Sequence, residues 1–306
     1  MLSVFKNSSL FFIILAVVIL SGCISEKEQF NEFTANESLN GTEIDRRNDS
    51  ESDGISAVTT IAPLASLVSA VGRDRVRVAV VVPSGAEPHS YEPTPSQMKE
   101  IANADIYIMN GAGLEFWMEK VLSVNEDMLV VDSSKGVELL SQDAEHTDPH
   151  IWMSLENAAI QVENICNGLI QLDPQNRGYY LENRDDFLQE LRALDRELNQ
   201  TFAARENKTF IVYHPAWSYF ARDYGLLQLP IMEEEKEPGP KYLAELIDIA
   251  RKNNITTIFV EPQFNPKAAE VIAREMNATI VVLDPLAEDY LQNMRHTGEE
   301  ISKSLK

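Results

Sequence analysis

DPQNRGYYLENRDDFLQELRALDRELNQTFA, residues 173–203, is the stretch on which the fold turns. Asp173 followed by Pro174 supplies an N-cap and a proline at the first helical position, and the next proline is Pro215. Phe187, Leu191, Leu194 and Leu198 recur at helical spacing, with Glu, Arg and Asp covering the other faces. The pattern predicts one helix reaching Ala203, some 30 residues and about 45 Å long. That length is unusual inside one lobe and suits a rigid connector between two. A dimeric coiled coil, the other common use of such a helix, needs a sustained heptad, and none is visible.

On either side of this helix, short β-rich runs alternate with amphipathic helical stretches. Ile55–Ile61, Arg77–Val82, Asp105–Asn110 and Met128–Asp132 read as strands, with helical spacing over Pro63–Val71, Pro95–Ala102, Leu114–Leu122 and Leu155–Leu172. After it, Thr209–Tyr213, Leu229–Met232, Thr257–Val260 and Thr279–Leu283 repeat the strand pattern. Helices are expected over Ala216–Tyr224, Pro240–Asn253, Pro266–Met276 and Ala287–Lys303. The alternation predicts an α/β fold of two similar lobes, residues 55–172 and 205–306, joined by the long helix 173–204. Each lobe should hold a mostly parallel sheet flanked by helices.

The first 54 residues lie outside that scheme. Lys6 precedes an apolar run from Leu10 to Leu20, too short for a comfortable membrane span, which ends at Leu20-Ser21-Gly22-Cys23. This resembles the lipobox of prokaryotic lipoproteins, so residues 1–22 are read as a signal peptide and Cys23 as the lipidated first residue. A plain N-terminal anchor is the alternative, and both place the rest of the chain outside the cytoplasmic membrane, on its outer face. The remainder of 23–54 is rich in Asn, Glu, Ser and Asp and reads as a flexible tether. Asn-x-Ser/Thr triplets at Asn36, Asn40, Asn48, Asn199, Asn207, Asn254 and Asn277 arise easily in an Asn-rich chain.

A net charge of −22 argues against nucleic acid or anionic lipid as partners. There are two cysteines, and Cys166 shares a helical face with Ala158, Ala159, Val162, Ile165 and Leu169, a core position. A cysteine-built metal site is therefore excluded, and a transition-metal site must draw on His, Asp and Glu. Of the five histidines, His89, His150 and His214 stand beside proline at loop or strand-end positions. In open α/β sheets ligands bind outside the carboxyl ends of the strands, so two imidazoles from one lobe and one from the other could meet in a cleft. Asp284, after the last strand, would complete a four-coordinate site suited to zinc and tolerable for manganese. Spacing alone leaves a structural role open for each histidine, and Asp284 could instead cap the last helix.

Pro88-His89-Ser90-Tyr91-Glu92-Pro93, Asp148-Pro149-His150-Ile151-Trp152, Tyr213-His214-Pro215-Ala216-Trp217 and Leu283-Asp284-Pro285-Leu286-Ala287 occur in this order, with Glu261-Pro262-Gln263-Phe264 before the last. Together they resemble the zinc- and manganese-binding substrate-binding proteins of ABC transporters, over the chain from Ser56 onward. The resemblance implies two lobes bridged by a rigid helix, a metal held between them by His89, His150, His214 and Asp284, and no enzymatic role. Members that favour manganese often carry Glu where this chain has His214, so the third imidazole favours zinc. Zinc members often carry a His-rich loop between the first two ligands; here it is reduced to His146, which leaves manganese or iron open. The implied partners are an ABC permease and its ATPase, with the chain a monomer held to the membrane by its lipid.

Glu261 is a candidate partner of a ligating histidine from behind, or a residue paired elsewhere in the second lobe. Glu87 reads as solvent-facing and His296 as surface. Because ligating imidazoles must be neutral, metal affinity is expected to fall as pH drops through about 6.5. A secreted zinc hydrolase is the main rival, although no His-Glu-x-x-His motif occurs. Surface adhesion is a second role compatible with a lipoprotein.

Overall fold

The computed structural model describes residues 54–141, 147–232 and 239–305. The expected signal peptide, Cys23 and the tether up to Asp53 lie outside the described residues, as does His146.

In the first lobe, β1 (Ile55–Thr59), β2 (Val76–Val80), β3 (Ile106–Met109) and β4 (Leu129–Asp132) form one parallel sheet in the order β2-β1-β3-β4. The register sets Ile55 opposite Val76, Ala57 opposite Ile106, and Ile106 opposite Leu129. Between the strands run α1 (Ala62–Gly72), α2 (Pro95–Ala102) and α3 (Met118–Leu122), and α4 (Leu155–Leu172) follows β4. Helix α1 starts with proline in its first turn and buries Leu64, Leu67, Val68 and Val71, one face at helical spacing. A reciprocal capping box between Thr94 and Gln97 opens α2, and the Ser154 hydroxyl accepts the Asn157 amide to open α4. Cys166 is fully buried on the inner face of α4, as its spacing predicted.

The second lobe repeats the plan. Strands β5 (Thr209–Val212), β6 (Leu227–Pro230), β7 (Thr257–Val260) and β8 (Thr279–Val282) are parallel in the order β6-β5-β7-β8. They alternate with α6 (Ser218–Asp223), α7 (Pro240–Lys252) and α8 (Pro266–Met276), and α9 (Tyr290–Ser304) closes the lobe. In both sheets the chain goes one way from the first strand and then returns to its other side. That reversal opens a crevice at the carboxyl ends of the two central strands.

The connecting helix, labelled α5, spans Arg177–Ala203 after a short 3-10 turn at Pro174–Asn176. Asp173 does not cap it directly; its carboxylate accepts from the Asn176 amide group and the Tyr180 hydroxyl. Tyr180, Phe187, Leu191, Leu194, Leu198 and Phe202 are buried along one stripe. This stripe packs on α1, α4 and α9. A side chain at Gly298 of α9 would overlap Leu198, so the two helices meet where glycine allows close approach. The first lobe, α5, α9 and one face of the second sheet share one continuous core. The other face of that sheet forms a separate, smaller core under α7 and α8 with Leu246, Ala250, Ala269 and Ile272.

Most element boundaries shift by one to a few residues from the sequence expectation, and some of these shifts have a clear cause. Helix α3 starts at Met118 rather than Leu114, because Gly111, Ala112 and Gly113 all have positive φ and carry the chain round a turn first. Strand β6 begins two residues early, pairing Leu227 with Thr209. Asp289, not Asp284, caps the last helix, its carboxylate accepting the Gln292 amide.

Candidate metal centre

The loops that leave the carboxyl ends of the strands carry the singled-out residues. His89 lies between β2 and α2, in a turn tied by Glu87: one carboxylate oxygen accepts the His89 amide at 3.2 Å, the other the Ser90 amide at 3.0 Å and its hydroxyl at 3.2 Å. Glu87 is therefore a brace of this loop rather than a solvent-facing side chain, and its carboxylate comes within 3.9 Å of the His89 ring. His150 precedes a 3-10 turn between β4 and α4. The Asp148 carboxylate accepts its backbone amide at 2.9 Å and its Nδ1 at 2.7 Å. His214 stands two residues past the end of β5; its amide donates to Glu261 Oε1 at 3.2 Å, and the Phe264 ring stacks on its imidazole at 5.0 Å.

These three imidazoles converge. The Nε2 atoms of His89 and His150 are 3.1 Å apart, and those of His150 and His214 3.2 Å apart. One nitrogen from each of the three lies within 4.8 Å of the other two. Around a tetrahedral zinc with Zn–N bonds of about 2.0–2.1 Å, neighbouring donors stand about 3.3 Å apart, so the spacing fits one ion. The cavity at this point holds about 20 Å³, room for a single small occupant, between Pro88, Trp152, Phe264, Pro285 and Leu286.

Electrostatics favour lone pairs over protons here. Burial, reinforced by repulsion from His150 and opposed by Asp148, lowers His89 to about 3. Burial and the neighbouring imidazoles push His214 well below its ordinary value. Burial alone would raise the Asp148 carboxyl, but the His150 charge and hydrogen bonds from His150 and Ser218 hold it below the usual range. Asp148 thus stays an anion behind His150. When the neutral ring donates from Nδ1 to it, the Nε2 lone pair is left facing the other two histidines.

Asp284 and Glu261 stand differently. Asp284 is not in the group that comes within 4.8 Å; its Oδ1 accepts from Gln263 Nε2 at 2.8 Å and from the Leu286 amide at 2.9 Å. Glu261 lines the cavity and is buried, but it touches His214 through the backbone amide and not through the ring. Burial pushes its carboxyl well above the ordinary range; its amide donors pull the other way, and the Asp284 charge adds to the rise. Among the described residues, His214 Nδ1 and Glu261 Oε2 are buried without a hydrogen-bond partner. His296 is exposed on α9, as expected.

Sequence reasoning gave no role to several side chains that hold the site. Three hydrogen bonds sew the His150 loop to the second lobe: Trp152 Nε1 to the Pro285 carbonyl, the Tyr290 hydroxyl to the Trp152 carbonyl, and the Tyr219 hydroxyl to the Asp148 carbonyl. Asp148 had a local signal, a carboxylate two residues before a histidine; the other three had none, because their partners are distant in sequence.

A profile of the zinc-uptake complex component A periplasmic family (ZnuA) matches residues 57–304. The high-affinity zinc uptake system protein ZnuA of Bacillus subtilis is 32% identical over 257 residues, 78% of this chain and 80% of that protein. The manganese-binding lipoprotein MntA of Halalkalibacterium halodurans is 28% identical over 269 residues, 83% of this chain and 90% of that protein. A crystal structure of ZnuA superposes with a TM-score of 0.81 at 40% identity, over 83% of this chain and 100% of the other.

Proposed function

The chain belongs to the family of zinc-uptake complex component A proteins, and from that premise we propose that it captures one zinc ion between its lobes and delivers it to an ABC importer. It is a component of an uptake system, not an enzyme. The observation that carries the reading is the convergence of the His89, His150 and His214 Nε2 atoms at single-ion spacing.

In this reading the three imidazoles are ligands and Asp284 is the fourth. Its carboxylate gives up Gln263 and turns into the cavity as the ion enters. Glu261 supports His214 from behind. A donor set dominated by imidazole favours zinc over manganese, which suits oxygen ligands better. The names of the relatives divide between the two metals, so the zinc reading rests on the third imidazole. Release follows when the transporter displaces the loops after β7 and β8, while α5 keeps the lobes at a fixed separation. Cys23 carries the lipid that holds the monomer to the outer face of the cytoplasmic membrane, within reach of the permease and its ATPase.

Metal content and zinc–manganese competition on the purified full chain, wild type beside His214→Ala, test the proposal. One zinc per chain, lost or much weakened in the variant, is the expected result. Preference for manganese would overturn the metal assignment, and no stoichiometric metal would overturn the function.

A further inference from the structure

The first lobe buries a polar network that metal capture, as described, does not use. Glu115, 6% exposed, sits below the carboxyl ends of β1 and β3. Its Oε1 accepts the Asn110 amide at 2.7 Å and the Thr60 hydroxyl, and its Oε2 accepts the Gly111 amide at 3.0 Å. Asn110 is fully buried beside it, and its Nδ2 donates to the Pro149 carbonyl at 2.9 Å. Gln161 Nε2 donates to Ser133 Oγ at 2.9 Å, and Ser133 Oγ in turn to the Asn110 carbonyl at 3.1 Å.

A buried carboxyl in a strand-end turn is an expensive way to build a lobe, since an apolar side chain of similar volume would serve stability as well or better. Burial pushes Glu115 up to about 7, although its hydrogen bonds from Thr60, Asn110 and Gly111 pull it down. Its use is local. Gly111, Ala112 and Gly113 lie at φ of 77°, 54° and 88°, a run of left-handed residues that an alanine adopts only under constraint. Glu115 grips the amides that begin this turn. Asn110, fixed at its own backbone, then aims its amide group at the carbonyl of the residue before His150. On the preceding residue the Asp148 carbonyl is held by Tyr219 from the second lobe. The backbone entering His150 is thus pinned at two successive carbonyls, one by each lobe.

We propose that Glu115 and Asn110 are positioning residues for the metal centre: Glu115 fixes the 110–113 turn, and Asn110 transmits that placement through the Pro149 carbonyl to the His150 imidazole. The inference rests on the metal-capture reading above. Metal sites tolerate misplacement of about 0.5 Å before affinity suffers, so one hydrogen bond that fixes a ligand loop affects binding more than folding.

The test compares full-length wild type, Asn110→Ala, Asn110→Asp, Glu115→Gln and Leu246→Ala. Leu246 lies in the separate core of the second lobe, a cluster to which Asn110, Pro149 and His150 do not belong. Zinc affinity is read by chelator competition, the melting temperature on metal-free protein, and the His150 ring nitrogens by NMR. Both Asn110 variants, which lack the donor to Pro149, should bind zinc about 10–100-fold more weakly and shift the His150 ring signals. Glu115→Gln should do the same to a lesser degree; should it not fold, the Asn110 pair decides. Leu246→Ala should lower the melting temperature and leave affinity within about twofold, an alanine truncation acting through its cavity. Wild-type affinity in the Asn110 variants, or a loss no greater than in Leu246→Ala, overturns this inference alone. A wild type without bound zinc overturns the capture reading and this inference with it.

Discussion

In the first lobe each converging imidazole comes from a loop braced by a carboxylate of its own: Glu87 grips the turn that carries His89, and Asp148 holds the His150 ring and amide together. The second lobe offers less finished parts. His214 Nδ1 and Glu261 Oε2 are buried without partners among the described residues, and Asp284 is engaged with Gln263 and the Leu286 amide. Unsatisfied buried polar atoms are costly, on the order of 1–3 kcal/mol each. They mark the second lobe's side of the cavity as the less fully hydrogen-bonded of the two. In the proposed capture of an ion, the first lobe would be the preformed seat and the second, through Asp284, the half that closes on it.

Acid is the strongest way to strain this arrangement. His89 has its folded-state value lowered to about 3, and His214 is lowered in the same direction. The unfolded chain takes up protons near pH 6.5 that the folded chain refuses, so stability is full above that value and is lost as pH falls toward the folded one. From pH 7 to 5, His89 alone should cost about 2 kcal/mol, and His214 adds to it. Denaturant titrations of metal-free protein check this; a flat stability over that window would contradict the burial of neutral imidazoles.

Asp148→Ala tests the preformed half. Loss of the anion behind His150 should weaken zinc about 10–100-fold, with one ion still bound per chain, as chelator competition would show. An unchanged affinity would mean that the seat does not depend on its brace. Asp284→Asn tests the closing half with an effect of about 10–100-fold, the range of a single charge-assisted contact. The amide keeps an oxygen for the Leu286 turn, so metal-free stability should hold while affinity drops. If affinity holds as well, Asp284 serves the turn alone.

The alternation of strands and helices around residues 173–203 was enough to place two parallel-sheet lobes and the helix between them, because period and proline placement are local properties. Boundaries slipped where tertiary register overrode local pattern, as at Leu227, which pairs with Thr209 across the sheet. The three histidines stood out as loop or strand-end residues beside proline, which was suggestive alone; the order of the surrounding motifs singled them out as a set. Glu115 and Trp152 were not: the first acts on a turn through backbone amides, and the second bonds a carbonyl 133 residues away. No spacing rule encodes such contacts. Asp284 was legible as a strand-end carboxylate, but its engagement with Gln263 depends on side chains meeting across two loops.

X-ray absorption at the zinc edge, on the full chain loaded with one equivalent, tests the central claim most directly. Three imidazole nitrogens at about 2.0–2.1 Å with one oxygen completing a tetrahedron is the predicted shell. A shell of oxygens alone, or one with fewer than two imidazoles, would contradict the account.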